Sequence, residues 1–347
     1  MKILIVKLGS IGDIVHTLPV LASIRQNMPD AEIGWVAEER SAELLRGNEL
    51  IDRLIEVDTR SLRNGPIVAS ILPSLREHFR KLRRYRFDIA IDFQGLLKSA
   101  AMAKLSGARL RYGFDPASMR EPTGRIFLNR TVPVASKCHV IRKNLSLAAS
   151  ALDIDVPENG FDFPISTATE HVVEADNIAA AAGNRFALLN PAGGWVTKLW
   201  PAENYGKLAD LLWEKLGLTP IVAAGPEDTE LIERVAAESR SGKAVVAKPS
   251  LKGFYELAKR AAVYVGGDTG PTHLAVAAGT PVVGIFGPTE WWRNGSPNAA
   301  DICVERTDIE CRVDCHRRNC SNWICMEISV ETVFGMVAKR IGGSDVS

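Results

Sequence analysis

No run of about 18 consecutive apolar residues occurs in this chain, so nothing in it reads as a membrane-spanning helix. No leader is expected either, since Met1 runs straight into the apolar "KILIVKL" with no basic segment, apolar core and cleavage site. A cytoplasmic protein is therefore expected. There is no Walker loop, G-x-G-x-x-G, H-E-x-x-H or G-x-S-x-G. No D-x-D pair suited to holding a divalent metal on a diphosphate is found either. A diphosphate ligand would have to be neutralised by helix N-termini and by Lys, Thr and His side chains.

Cysteine is scarce and lopsided. Five of six lie between Cys303 and Cys325, and four of these, Cys311, Cys315, Cys320 and Cys325, fall in "CRVDCHRRNCSNWIC". The C-x3-C-x4-C-x4-C spacing is not that of a zinc ribbon with its two C-x2-C pairs. Three readings stay open: reduced structural thiols, a structural metal on those four sulfurs, or disulfides, which a reducing compartment disfavours. Net charge is small too, at +1, but its distribution is uneven. From Arg60 to Lys143 there are 18 Lys or Arg against 5 Asp or Glu, a local excess of +13 that leaves −12 for the remainder. Such a stretch is either a solvated face or the footprint of an anionic partner.

What is present is an alternation of short apolar strands and helices over 347 residues, 46% hydrophobic and 24% charged. "KILIVKL", "EIGWVAE", "RLIEVD", "FDIAIDFQG" and "RLRYGFD" form one series. After a polar stretch, "RFALLNPAG", "TPIVAAGPED", "AVYVGGDTG" and "PVVGIFGPT" form another. β-branched runs followed by helices give parallel sheets covered on both faces. The reading is α/β with two doubly wound, Rossmann-like domains. The first spans 1–165, a hinge 166–184, and the second 185–347. The second includes the cysteine-rich loop 303–325 and a C-terminal helix able to pack back on the N-terminal domain.

Ligands of such sheets bind beyond the carboxyl ends of strands. In "GGDTGPTHLAVAAG", Asp268 or Thr269 can cap a helix that starts near Pro271. Gly270 permits close backbone approach, and His273 lies in the first turn. This is either an anion site or plain capping beside a core histidine. In "NPAGGWVTKLWP", Thr197 and Lys198 can reach a phosphate, or the lysine is simply solvated. Glu227 of "AAGPEDTE" either accepts ribose hydroxyls or is an exposed carboxylate near a helix start. "GSIGD" places Asp13 in a nucleotide-loop-like turn where a phosphate would not welcome a carboxylate.

Together, "KILIVKLGSIGDIVHTLPVL", "WVAEE", "FDIAIDFQGLLKSA", "REPTGRIFLNR", "DTGPTHLAVAAGTPVVGIFGPT" and "CMEISVETV" resemble the lipopolysaccharide heptosyltransferases of glycosyltransferase family 9. "IDFQGLLKSA" and "REP" favour the heptosyltransferase I branch. The resemblance implies a GT-B fold whose two domains face each other across a cleft, acceptor on the first domain and nucleotide sugar on the second. It implies inverting transfer of heptose from ADP-L-glycero-D-manno-heptose to Kdo of lipid A, with no cofactor and no metal. Asp13 would then be the general base. Lys198 would hold the pyrophosphate with Thr197 and the amides of Thr269 and Gly270. Asp268 and His273 would contact heptose or diphosphate, and Glu227 the ribose. Arg60, Arg63, Lys98, Arg120 and Arg142 would meet the carboxylates and phosphates of the acceptor. Nucleic acid is not an expected partner. Another family 9 donor or acceptor, or a non-catalytic sugar-nucleotide-binding protein, are the alternatives.

Two further stretches are noted. "SLREHFRKLRRYRF" lines up Leu75, Phe79, Leu82 and Phe87 on one helical stripe, with Arg80, Lys81, Arg83 and Arg84 among the rest. It is either a solvated amphipathic helix or a contact with the anionic inner leaflet, making the enzyme peripheral to the inner membrane. "GPTEWWRNGSP" carries Trp291 and Trp292, either core aromatics or platforms for adenine or a sugar. "PTH" stands where the family more often has "LSH".

Overall fold

The structure, a computed structural model, describes residues 1–59, 82–183, 185–313 and 315–342. The chain divides into two contiguous units, Met1–Ser166 and Thr167–Ser347. In the first, six strands form one parallel sheet: β1 Lys2–Val6, β2 Glu32–Glu38, β3 Arg53–Val57, β4 Ile89–Asp92, β5 Leu110–Phe114 and β6 Arg130–Val132. Their spatial order is β3-β2-β1-β4-β5-β6. β1 sits at its centre, pairing Ile3 with Ile33 on one side and with Ile89 on the other. Ile3, Leu4, Ile5 and Val6 are all fully buried, because helices cover both faces and no strand position needs to be polar.

The second unit repeats the plan. β7 Phe186–Asn190, β8 Thr219–Ala223, β9 Val245–Ala247, β10 Val263–Gly267, β11 Val282–Phe286 and β12 Ile302–Glu305 lie in the order β12-β11-β10-β7-β8-β9. Counted from the first strand of each unit, both sheets run 3-2-1-4-5-6. Each therefore reverses its winding between its first and fourth strands, β1/β4 and β7/β10. Crevices for ligands open there, at the strand carboxyl ends. Leu189, Leu208, Leu212, Val222, Val265, Val333 and Val337 are among the residues of the second core.

One expectation about organisation is corrected. Residues 166–184 are not a hinge: Thr169–Ala182 is a helix of the second unit, packed on the Leu251–Ala258 helix. Its small Ala175, Ala179 and Ala182 face inward, while its polar positions make it read as linker. Glu174 accepts from the Ser250 N–H at 2.9 Å, and Arg260 pairs with Asp176 at 2.8 Å. The C-terminal helix Val330–Arg340 packs on the Ala202–Leu216 helix and on β11 and β12 of its own unit. Arg340 ties it down through the buried Asp301 at 2.8 Å.

Among the described residues no helix is long and apolar enough to cross a membrane. Of the basic amphipathic stretch, Leu82 and Phe87 are buried in the first unit. Leu75, Phe79, Arg80 and Lys81 lie outside the described residues, as do Arg60 and Arg63.

Candidate active site

At the first winding reversal β1 delivers Lys7 and β4 delivers Asp92 and Gln94. Lys7 is 3% exposed. Its ammonium donates to the Phe93 carbonyl at 2.9 Å and pairs with Asp13 Oδ1 at 3.2 Å. Asp13 sits in the short helix Ile11–Val15, and its side chain is 34% exposed. Its Oδ2 accepts from the Ser10 N–H at 3.0 Å and from Gln94 Nε2 at 3.3 Å. Gln94 Oε1 in turn accepts from the Leu8 and Gly9 amides at 3.0 and 3.3 Å. Gly9 is required here: its φ is +149°, and a Cβ would lie 2.5 Å from Ser41 Oγ. Burial pushes the Asp13 carboxyl up. The Lys7 charge and hydrogen bonds from Lys7, Ser10 and Gln94 outweigh it and hold the group below the ordinary carboxylate range. Asp13 is therefore ionised at neutral pH and still reachable from solvent. Beneath it, Asp92 is fully buried, and burial lifts it to about 6 against hydrogen bonds from Gln94, Ser99 and Gly95.

The expected acceptor cations separate. Lys98, in the first turn of the Leu97–Leu105 helix, is held by Glu38 Oε1 and Thr59 Oγ1, each at 2.9 Å. Arg120 is exposed on the turn that leans on Gly95, where Glu121 donates its amide to the Gly95 carbonyl at 3.0 Å. Lys98 and Arg120 thus flank the β4 loop that carries Gln94. Arg142 is exposed on the Val140–Leu152 helix and donates to Asn159 Oδ1 at 3.2 Å. That helix is anchored beside Asp13's own by Asn144, which donates to the His16 carbonyl and Thr17 Oγ1, both at 3.1 Å.

At the second reversal β7 leads into Lys198 and β10 into Asp268. Lys198 Nζ lies 2.5 Å from Asp268 Oδ2 and 3.0 Å from the Asp268 carbonyl. Asp268 Oδ1 faces His273 Nε2 at 3.5 Å and accepts from Asn294 at 2.5 Å. Burial raises the Asp268 carboxyl, but the His273 hydrogen bond, the Lys198 and His273 charges and the Lys198 hydrogen bond bring it far down. The Gly270–Ala277 helix starts here with Thr269 as N-cap and no side-chain cap bond. Of the two expected caps, Thr269 holds the N-cap position without a side-chain bond to the helix, and Asp268 is taken by Lys198, His273 and Asn294. The first amides of this helix form its positive end. Glu227 is exposed in the Pro226–Asp228 turn after β8.

Thr197, expected beside the pyrophosphate, is only 2% exposed, and its hydroxyl donates to the Arg317 carbonyl at 2.7 Å. It anchors the cysteine-rich loop instead. Trp323 Nε1 donates to the Thr197 carbonyl at 3.0 Å, and the His316 amide to the Pro288 carbonyl at 2.9 Å. Buried Arg312 pins the loop's start through Glu305 at 2.7 Å and the carbonyls of Gly287 and Thr289. Lys198 and Arg318 lie over the ring of Trp195, at 4.3 and 5.2 Å from its centroid. All six cysteines are free thiols, and among the described residues no group of three or more His, Cys, Asp or Glu is placed to hold a metal. Trp291 is a packing residue: its ring meets Phe286 at 4.9 Å and fills the space where a Gly284 Cβ would stand. Trp292 is exposed.

Sequence reasoning missed Lys7, Gln94, Asp92, Asn294 and the Arg312–Trp323 brace. Lys7 and Gln94 converge on Asp13 only because β1 pairs with β4, a contact spanning more than eighty residues. The lone signal available was "IDFQG", a strand ending in polar residues before a glycine.

Residues 75–323 match glycosyltransferase family 9 (heptosyltransferase). The chain is similar to lipopolysaccharide heptosyltransferase 1 of Pseudomonas aeruginosa, 31% identical over 329 residues that cover 92% of this chain and 88% of that one. It is also similar to the solved E. coli heptosyltransferase WaaC with ADP, with a TM-score of 0.75 and 30% identity, covering 88% of this chain and 93% of that one. The same E. coli enzyme with ADP-2-deoxy-2-fluoro heptose gives a TM-score of 0.73 and 29% identity at the same coverage. The two parallel-sheet units are those of the GT-B fold.

Proposed function

This chain belongs to glycosyltransferase family 9, the heptosyltransferases, and from that premise we propose that it moves heptose from ADP-L-glycero-D-manno-heptose to a Kdo residue of lipid A. Heptose transfer in lipopolysaccharide core synthesis is the activity of its relatives and of this chain. The donor, the acceptor, inversion and independence of metal are our reading. It is carried by one observation: a solvent-reachable carboxylate, Asp13, held by Lys7 and Gln94 at a sheet's winding reversal.

In this reading Asp13 takes the proton of the acceptor hydroxyl as that oxygen attacks the anomeric carbon of heptose. The bond from that carbon to the diphosphate oxygen breaks on the opposite face, and ADP departs with the electron pair. A single displacement of this kind inverts the anomeric centre. Lys198, His273 and the first amides of the Gly270–Ala277 helix take up the charge growing on the diphosphate. Asp268 sets the position of Lys198 and His273. Glu227 receives the ribose hydroxyls. Lys98, Arg120 and Arg142, with Arg60 and Arg63, meet the carboxylates and phosphates of an acceptor carried at the inner leaflet.

Thermal shift with ADP-heptose, ADP-glucose, UDP-glucose and GDP-mannose tests the donor, because a ligand stabilises only the fold that binds it. ADP-heptose should give the largest shift and the UDP and GDP sugars none. A larger shift with GDP-mannose or UDP-glucose would overturn the donor assignment. Stabilisation by ADP-heptose without turnover on Kdo-lipid A would leave a binding protein.

A further inference from the structure

The most exposed large apolar side chain among the described residues is Ile126, at 74%. It lies in the Pro122–Phe127 turn, which packs against the Leu97–Leu105 helix. The first residue of that helix, Leu97, is itself 41% exposed. The two elements are locked together. Glu121 Oε2 accepts from the Leu97 N–H at 2.7 Å, and Gly124 sits so close that a Cβ there would be 3.3 Å from the Leu96 carbonyl oxygen. Arg120 and Arg125 are exposed on the same turn, and Arg125 is steadied by its bond to the Leu128 carbonyl at 2.8 Å. Two aliphatic side chains are thus exposed on interlocked elements, with arginines beside them.

Their place in the fold suggests what covers them. Leu97 is three residues beyond Gln94, which touches Asp13. The patch therefore lies on the carboxyl edge of the sheet, where an acceptor hydroxyl would be deprotonated. An acceptor whose acyl chains stay in a bilayer can reach Asp13 only if that edge faces the lipid. The surrounding sequence, with its local excess of +13, is complementary to an anionic leaflet.

We propose that Leu97 and Ile126 are the membrane contact of this enzyme, entering the headgroup layer of an anionic lipid surface while Arg120 and Arg125 meet its phosphates. The proposal deepens the reading of a lipid-linked acceptor and rests on it. Two aliphatic side chains and a few arginines give weak, salt-reversible attachment, which suits an enzyme that must release one lipid and find another.

The test uses the full chain, with Leu97→Asn/Ile126→Asn, Ile126→Asn alone and Arg125→Gln. Wild type should sediment with phosphatidylglycerol vesicles, lose them at high salt, and ignore phosphatidylcholine vesicles. The double variant should bind about tenfold more weakly. It should turn over vesicle-embedded Kdo-lipid A slowly but a deacylated, water-soluble acceptor at the wild-type rate, with an unchanged thermal shift by ADP. If the double variant fails to fold, Ile126→Asn alone carries the same expectation, since Ile126 is mostly exposed. Vesicle binding unaffected by these changes overturns the proposal. So does a patch whose loss changes only self-association in sedimentation velocity. No turnover of either acceptor by wild type would instead count against the acceptor assignment, and vesicle sedimentation would still decide the patch.

Discussion

Lys7 shows how a single buried charge sets the state of a site. Its ammonium is held between a backbone carbonyl and Asp13, so it acts as a fixed positive charge under the proposed base. Asp13→Asn should lower kcat by roughly 10²–10⁴ while the thermal shift with ADP stays intact. Near-normal turnover would remove Asp13 from the chemistry. Lys7→Met takes away the charge that lowers the Asp13 carboxyl, so that group titrates higher and the acid limb of the kcat profile should move to higher pH. A rate–pH profile of the variant checks this. A general loss of activity with the limb in place would make Lys7 structural only. Asp92 has the opposite linkage. Its folded value of about 6 stands above the ordinary 3.8, so the folded state holds this proton more tightly. Its contribution to stability is full below about pH 4 and is lost as pH rises through 6, on the order of 3 kcal/mol for a shift of two units. Asp92→Asn should flatten that fall, as denaturant melts at pH 4 and pH 7 would record.

At the scale of elements, legibility followed the strength of the apolar pattern. The central strands are runs such as Lys2–Val6 and Val263–Gly267, whose burial on both faces leaves an unbroken β-branched signal. β6, β9 and β12 escaped. They are edge strands of three or four residues, and "RTV" or "ICVE" has too few apolar positions to stand out. The Thr169–Ala182 helix was misread because it buries alanines, which give little hydrophobic contrast. Asp13, Lys198 and Asp268 were legible as residues that follow strands. Lys7 and the pairing of Lys198 with Asp268 were not, since pairing across a sheet depends on strand order. The cysteine-rich loop was read for its sulfur chemistry, whereas its visible structural role is to brace the strand-to-helix connection bearing Lys198. Thr197→Val removes one anchor of that brace, the bond to the Arg317 carbonyl. ADP should then bind about 2–10-fold more weakly by calorimetry, with the melting temperature nearly unchanged. Undiminished ADP affinity would detach the loop from donor binding.

For the whole molecule, both units place a lysine–aspartate pair at the winding reversal, Lys7 with Asp13 and Lys198 with Asp268. The same topology thus presents the same two charges for different work: in the proposed mechanism the first carboxylate removes a proton, and the second positions the cation that meets phosphate. Activity should persist in EDTA, because the phosphate charge is assigned to lysine, histidine and helix amides. Loss of turnover that Mg²⁺ restores would contradict this. Loss of folding without recovery would point instead to the four cysteines from Cys311 to Cys325.

The chain passes from one unit to the other once, between Ser166 and Thr167, and its last helix stays in the second. Each half is therefore one uninterrupted stretch of coding sequence. If the proposed mechanism divides acceptor and donor between the two halves, a chimera joined at Ser166/Thr167 should take its donor preference from the parent of its second half and its acceptor preference from the parent of its first.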